Sequence, residues 1–156
     1  MKIAFPYPSY WPYVRRGAER CIHDIAGYLA ERGHEVEIIT STPGRARVAH
    51  DEHGVKITYL EQVSHPLMYR YTPWVRQAAF GIEASRHMMR ERPDVAHLWS
   101  FSNINFAPLL REMLDMPYLV HIIMRNHYWR TRYGRMVFAN LVRNADEVVA
   151  LTRGGA

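Results

Sequence analysis

The sequence predicts an α/β fold built on a doubly wound, mainly parallel sheet, in a single domain that spans residues 1–156. Short apolar runs rich in β-branched residues alternate with longer segments whose apolar residues recur at helical spacing. Strands that are buried on both faces and joined through helices run parallel, because each helix returns the chain to the same end of the sheet.

Six strands and four helices are predicted in alternation. The strands cover residues 2–5 ("KIAF"), 35–40, 55–60, 94–99, 118–123 and 147–151. The helices cover residues 17–33, about 75–90, 103–115 and about 132–144. Glu19 lies in the first turn of the first helix, where the helix dipole favours a negative charge, and Gly33 is the predicted stop of that helix.

The composition excludes several classes of protein. Hydrophobic residues make up 48% and charged residues 22%, which argues against disorder and against a coiled coil. No apolar run approaches the roughly 20 residues that span a bilayer, and Pro6 and Pro8 interrupt what would be the core of a secretory signal. The single cysteine, Cys21, excludes an internal disulfide and fits a reducing compartment. We therefore expect a soluble cytoplasmic protein.

The net charge of +5 is unevenly distributed along the chain. Five arginines and no carboxylate lie between Met116 and Ala145, namely Arg125, Arg130, Arg132, Arg135 and Arg143. Such a patch suits an anionic partner, for example a membrane surface at which the protein is peripheral, or a phosphorylated ligand. An ordinary solvated helix face would have the same composition. Because no nucleic-acid-binding motif accompanies the arginines, no nucleic-acid partner is predicted.

Ligands of open parallel sheets bind beyond the carboxyl ends of the strands. That rule selects residues 6–18, 41–47, 99–104 and 124–131. All but the second of these segments are rich in aromatic, histidine or asparagine side chains. A sheet core needs none of them at these positions, so the segments predict a binding site.

Several short motifs, in order, resemble glycosyltransferase family 4, which has the GT-B fold. "RRGAE" (15–19) is similar to the family's Gly-Gly-x-Glu loop, and "ERGHEVEIIT" (31–40) to the segment after its first helix. "RPDVAHLWS" (92–100), "MPYLVHII" (116–123) and "NADEVVALTRGGA" (144–156) resemble three later motifs. Two places depart from the pattern: Arg16 stands where the loop's first glycine is usual, and Ile123 where a histidine is usual.

The resemblance implies a Rossmann-like, acceptor-binding N-terminal domain of a two-domain enzyme. Such enzymes transfer a sugar, usually with retention of configuration, from a nucleotide-sugar donor to a sugar or lipid-linked acceptor, without a metal or other cofactor. The donor nucleotide is held mainly by a C-terminal domain that is absent from this chain. We therefore expect the chain to be inactive alone and to need that domain in cis or in trans.

The residues that match the family's loop are candidates for the donor site. Gly17 would let backbone N–H groups at the helix start approach the donor diphosphate, supported by the charge of Arg15 and Arg16. The alternative is a plain helix-entry glycine.

The acceptor site is predicted from aromatic and histidine side chains. The acceptor-binding candidates are Tyr10, Trp11, Tyr13, His97 and Trp99. His127 is the preferred catalytic residue, contacting a sugar hydroxyl from a loop, whereas His121 is expected in the core. For His97, a packed, hydrogen-bonded side chain is the equal alternative. The histidines show no metal-ligand spacing and a lone cysteine builds no zinc site, so no bound metal is expected.

Two other functions fit the same fold. One is a stand-alone module that binds a glycan, a lipid or a protein through its aromatic loops without catalysis. The other is a flavodoxin-like small-molecule binder, which is disfavoured because the first loop, "PYPSYWPYVRRG", is not rich in the serine and threonine that such loops use for phosphate.

Overall fold

A single β-sheet organises the computed structural model, which describes residues 1–10, 14, 16–42, 45–61, 73–99, 107–122 and 132–150. Its seven described strands are β1 (Lys2–Pro6), β2 (Glu35–Thr42), β3 (Arg47–His50), β4 (Lys56–Glu61), β5 (Val95–Trp99), β6 (Tyr118–Ile122) and β7 (Glu147–Ala150). The described helices are α1 (Gly17–Glu31), α2 (Pro73–Glu91), α3 (Ala107–Leu114) and α4 (Arg132–Arg143). None of these helices combines the length and the apolar character needed to cross a bilayer.

The strand order is β3-β4-β2-β1-β5-β6-β7, and every neighbouring pair except β3–β4 is parallel. The predicted doubly wound, mainly parallel sheet is therefore confirmed. All six predicted strands are present, with ends that differ from the prediction by at most two residues. The C-terminal stop of α1 is also confirmed: Gly33 has φ +81°, and its N–H donates to the Ala30 carbonyl at 2.9 Å.

Strand β3 was not predicted. It pairs antiparallel with β4 and its side chains are largely exposed, so it lacks the apolar run by which buried strands are recognised. The turn that joins the two strands is built by Asp51, whose Oδ1 accepts the N–H groups of His53 and Val55, both at 2.9 Å. Gly54 completes the turn at φ +78°, a conformation that favours glycine.

Each face of the sheet carries its own hydrophobic core. On one face, Ile22 and Ala26 of α1 pack with Phe5, Ile38 and other strand residues. On the other, buried residues of α2, α3 and α4 pack against β1, β2, β5 and β6. Burial on both faces explains why the central strands are continuously apolar.

A buried carboxylate joins α2 to the sheet. Oε1 of Glu37, in β2, lies 2.9 Å from His87 Nε2, 2.6 Å from Thr58 Oγ1 and 3.0 Å from Lys56 Nζ. Burial alone would raise the pKa of Glu37, but the hydrogen bonds from His87, Thr58 and Lys56 lower it to about 2. The side chain is therefore ionised throughout the neutral range.

Replacing Glu37 by Gln is expected to lower the free energy of unfolding by about 3 kcal/mol, because it leaves Lys56 and His87 beside a neutral amide in a buried site. Glu35→Gln is the matched control: it lies in the same strand, its side chain is 66% exposed, and Lys2 Nζ is 3.8 Å away. The control should change stability by less than about 0.5 kcal/mol. Urea denaturation measures both, and equal effects would show that Glu37 does not stabilise the fold.

Candidate active site at the carboxyl edge of the sheet

The carboxyl ends of the parallel strands meet at one edge of the sheet, called here the carboxyl edge. The chain leaves β1 toward β2 on one side and leaves β5 toward β6 on the other. Loops that diverge in this way open a crevice between the ends of β1 and β5, which is the usual ligand site of such sheets.

Glu19 binds Ser9 and Arg16, two described residues of the segment between β1 and α1. Its Oε1 accepts hydrogen bonds from Ser9 Oγ at 2.8 Å and from Arg16 Nη2 and Nε at 2.8 and 3.2 Å. Arg16 Nη2 also donates to Ser9 Oγ at 3.1 Å, which closes a triangle of side chains. The Glu19 side chain is fully buried. Burial would raise its pKa, but the hydrogen bonds from Arg16, from its own backbone N–H and from Ser9 bring the pKa below the usual value.

The start of α1 is open at Gly17. Arg16 is the N-cap residue in an extended conformation, and its side chain makes no capping hydrogen bond. Gly17 is exposed, and a Cβ built there would meet no atom within 4 Å. Nothing in the described fold therefore requires glycine at this position, whereas the N–H groups of a helix's first turn have no partner within the helix.

Of the two arginines predicted at the donor site, the structure describes only Arg16. Arg16 is present at the edge, but its guanidinium is committed to Glu19 and Ser9. Arg15 lies outside the described residues. The phosphate-binding roles of Gly17, Arg16 and Arg15 remain predictions.

Four rings form an aromatic ladder, defined here as Phe5, His97, Trp99 and His121, beneath the carboxyl edge. The His97 ring centroid lies 4.8 Å from Phe5, 5.3 Å from Trp99 and 5.6 Å from His121, and Trp99 lies 4.1 Å from His121. The register explains the contacts, because Trp99 of β5 pairs with His121 of β6. Side chains two residues apart on a strand share a face, which places His97 beside Trp99.

Both histidines of the aromatic ladder are neutral. Burial, together with the neighbouring His121, lowers the pKa of His97 to about 3, and burial also lowers the pKa of His121. Among the described residues, His97 Nε2 and both ring nitrogens of His121 are buried without a hydrogen-bond partner. Such nitrogens can donate to or accept from a ligand hydroxyl. His121 lies in the core as predicted, and the acceptor-binding roles of His97 and Trp99 remain predictions.

Tyr10 is placed in the core between α1 and the sheet. The side chain is 2% exposed, packs with Ile22, and its hydroxyl lies 2.9 Å from His23 Nδ1. The ring therefore fills space under α1. An acceptor-binding role for Tyr10 stays a prediction.

Three further predicted site residues, Trp11, Tyr13 and the catalytic candidate His127, lie outside the described residues, so their roles stay predictions. Sequence reasoning missed Ser9 and Glu19 as the residues that hold the loop. The three-residue spacing of Arg16 and Glu19 is a signal for that ion pair, since residues so spaced adjoin at a helix start. Ser9 carries no comparable signal.

Glu19→Gln is expected to lower the free energy of unfolding by about 2 kcal/mol, because a neutral amide forms weaker hydrogen bonds with Arg16 in a buried position. Asp24→Asn is the control on the same helix: its side chain is 61% exposed and lies 3.8 Å from Arg20 Nε. Chemical denaturation should separate the two variants. If both lose the same amount, the Glu19 carboxylate does not anchor the loop.

His97→Phe is expected to weaken the loss of stability in acid. Below pH about 6.5 the unfolded chain protonates its histidine, while folded His97 stays neutral down to pH about 3, so each pH unit in that window costs about 1.4 kcal/mol. Phenylalanine keeps a ring in the aromatic ladder and cannot titrate. Denaturation at pH 7, 5 and 4 should give a shallower slope than wild type, and an unchanged slope would contradict the neutral state of His97. His50→Phe, at an exposed site in β3, is the control that should keep the wild-type slope.

Comparison with solved structures identifies proteins of the same fold. A sucrose-phosphate synthase structure from Thermosynechococcus elongatus matches with a TM-score of 0.69 and 14% identity, over 99% of this chain and 78% of that one. MurG of Acinetobacter baumannii matches with a TM-score of 0.61 and 14% identity, over 99% and 42%. A UDP-GlcNAc 2-epimerase from Methanocaldococcus jannaschii matches with a TM-score of 0.62 and 13% identity, over 97% and 40%. The chain thus spans less than half the length of the last two.

At such low identities the structural similarity shows the fold alone, which is Rossmann-like and of the kind found in GT-B proteins. No protein of curated function matches the sequence significantly. The sequence profile of the family described as "Glycosyl transferase 4-like domain" matches residues 16–156, which is nearly the whole chain. The chain therefore belongs to the Glycosyl transferase 4-like domain family.

Proposed function

We propose that the chain is the acceptor-binding domain of a retaining glycosyltransferase that uses a nucleotide-sugar donor. One observation carries the proposal: the exposed, unobstructed start of α1 at Gly17, at the carboxyl edge beside the β1–β5 crevice. Family membership supports glycosyl transfer in general. The retaining outcome and the division into acceptor and donor halves rest on the resemblance to family 4.

The donor diphosphate is the proposed ligand of the helix start. In the transfer, the bond between the anomeric carbon and the phosphate oxygen breaks, the acceptor oxygen bonds to that carbon on the same face, and the acceptor hydroxyl proton passes to the leaving phosphate oxygen. The leaving diphosphate keeps the bonding electrons and gains negative charge, which N–H groups and the dipole of α1 stabilise. Because Arg16 is paired with Glu19, its proposed contribution is to fix the loop rather than to bind phosphate directly.

The acceptor is proposed to lie on the β5–β6 side of the crevice. Trp99 ends β5 and is only 1% exposed within the aromatic ladder, so its proposed role is to support the acceptor side from beneath rather than to stack on a sugar ring. A histidine whose pKa is about 3 is too weak a base to take a proton at neutral pH, so His97 would orient a hydroxyl instead. Trp11, Tyr13 and His127 complete the proposed acceptor side, and Tyr10, buried under α1, would support it through packing only.

The partners of the domain follow from the same proposal. A C-terminal nucleotide-binding domain, in cis or in trans, would hold the rest of the donor, and no resident cofactor is required. Exposed Arg132, Arg135 and Arg143 follow one face of α4 together with Met136. A basic face with an apolar side chain suits anionic lipid headgroups, consistent with a lipid-linked acceptor and a cytoplasmic protein peripheral to the membrane.

The test of the proposed function is a transfer assay. The chain, joined to or mixed with its C-terminal domain, is screened against UDP-, GDP- and ADP-sugars with sugar and lipid-linked acceptors, and release of nucleoside diphosphate is measured. Turnover only when both domains are present supports the proposal. Glycan or lipid binding by the chain alone, with no turnover in any combination, would favour the stand-alone binding module instead.

Gly17→Ala separates catalysis from folding. A Cβ at Gly17 meets no atom within 4 Å, so the variant should be as stable as wild type or up to about 0.5 kcal/mol more stable. A side chain at the helix start would still crowd a diphosphate, so kcat/KM should fall at least about tenfold. Arg20→Ala, an exposed change in the same helical turn, is the control that should keep its activity. Full activity of the Gly17→Ala variant would contradict the proposal that the donor diphosphate binds at the start of α1.

A further inference from the structure

A cluster of potential metal ligands lies away from the carboxyl edge. It is formed by His23 of α1 and by Glu52 and His53 of the β3–β4 turn, and one ligand atom from each lies within 4.8 Å of the other two. His23 is buried, whereas Glu52 and His53 are exposed. Because β4 starts directly after this turn, the turn lies at the amino end of the parallel strands, opposite the proposed transfer site.

We propose that His23, Glu52 and His53 bind one divalent transition-metal ion of the zinc type. Imidazole nitrogens and a carboxylate oxygen form the donor set that suits zinc, whereas magnesium and calcium prefer oxygen ligands alone. Three protein ligands leave a fourth position, which the exposed turn leaves open to water.

The distances fit a tetrahedral ion after a small closure of the turn. Glu52 Oε1 lies 4.0 Å from His23 Nε2 and 3.7 Å from His53 Nε2. Zinc bonds of about 2.0–2.1 Å at tetrahedral angles place neighbouring ligand atoms about 3.4 Å apart. His23 is held in the core, and the two turn residues supply the remaining movement.

Both imidazoles are oriented so that Nε2 faces the Glu52 carboxylate. Nδ1 of His53 lies 3.2 Å from Glu31 Oε1, and Nδ1 of His23 lies 2.9 Å from the Tyr10 hydroxyl. With the protons on Nδ1, the two Nε2 atoms would be the metal ligands and the Nδ1 contacts would orient the rings, as in carboxylate–histidine–zinc arrangements. Metal binding at Nε2 requires the tautomer with its proton on Nδ1, in which His23 Nδ1–H donates to the Tyr10 hydroxyl oxygen.

The Asp51 carboxylate is a second observation that favours a cation bound in this cluster. Its Oδ2 is buried, has no hydrogen-bond partner among the described residues, and lies 3.7 Å from His23 Nδ1. An uncompensated buried carboxylate oxygen is costly, and a cation bound across the ring would offset that cost.

The metal would clamp the β3–β4 hairpin to α1. His53 already packs so closely on Gly27 that a Cβ at position 27 would lie 2.9 Å from the imidazole ring. Fixing His53 and Glu52 to His23 would therefore join the edge of the sheet to the centre of the helix. The proposed role is structural, and it does not depend on the proposed glycosyl transfer.

The test titrates zinc into the tag-free protein after treatment with a chelator, by isothermal calorimetry at pH 7.5. We expect one ion per chain with a dissociation constant in the micromolar range or below. Zinc at a hundredfold excess over that constant should raise the melting temperature by about 5 °C or more, and magnesium should neither bind nor compete. X-ray absorption should give zinc–nitrogen and zinc–oxygen bonds of about 2.0–2.1 Å with two imidazoles.

Variants on the exposed turn test the assignment without disturbing the core. Glu52→Gln should weaken zinc binding at least about tenfold and His53→Ala about a hundredfold. His50→Ala, an exposed histidine three residues away in the chain, is the matched control and should bind zinc as wild type does. Absence of saturable zinc binding, or equal binding by all three variants, would overturn the proposal.

Discussion

The carboxyl edge depends on one buried carboxylate, that of Glu19. A helix start facing a ligand cannot be fixed by the usual capping side chain, because that side chain would occupy the ligand's place. Here Glu19 accepts hydrogen bonds from Ser9 and Arg16. Arg16 is the N-cap residue, and its side chain bonds Glu19 instead of the helix backbone. The first turn of α1 stays open while the chain that leads into it is fixed. Pre-organisation of this kind is what charge stabilisation in group transfer requires.

A second buried carboxylate, that of Glu37, lies in the sheet and has a different kind of partner network. Glu37 bonds His87, Thr58 and Lys56 through one oxygen, and this network links β2, β4 and α2 rather than a loop. A parallel sheet covered on both faces gives its strands little polar contact with solvent, so each buried carboxylate must find partners within the protein. The Glu37 network joins two layers of the fold, and the Glu19 network shapes the candidate site.

The fold was predictable because its signal is local. Apolar strands and amphipathic helices can each be recognised from a few consecutive residues, and this pattern located six strands and four helices. Strand β3 was missed since an exposed edge strand carries no apolar run. The candidate site was predictable only in part, because its contacts are not local. Sequence shows neither that Ser9 reaches Glu19 nor that the Tyr10 ring lies under α1. The same limit applies to the proposed metal site, because His23 and the Glu52–His53 pair are far apart in the chain and come together only in the fold.

The start and the centre of α1 are connected through Tyr10. This residue belongs to the loop that leads to the candidate transfer site, and its hydroxyl bonds His23, a ligand of the proposed metal site. A metal on Nε2 of His23 would hold the imidazole in place and keep the proton on Nδ1, so that Nδ1–H donates to the Tyr10 oxygen. The metal would thereby stiffen the loop without touching substrate. The burial of Tyr10 then has a physical reason that a sugar-binding role does not supply: the ring is the connection between the clamp on one side of the helix and the loop at its start.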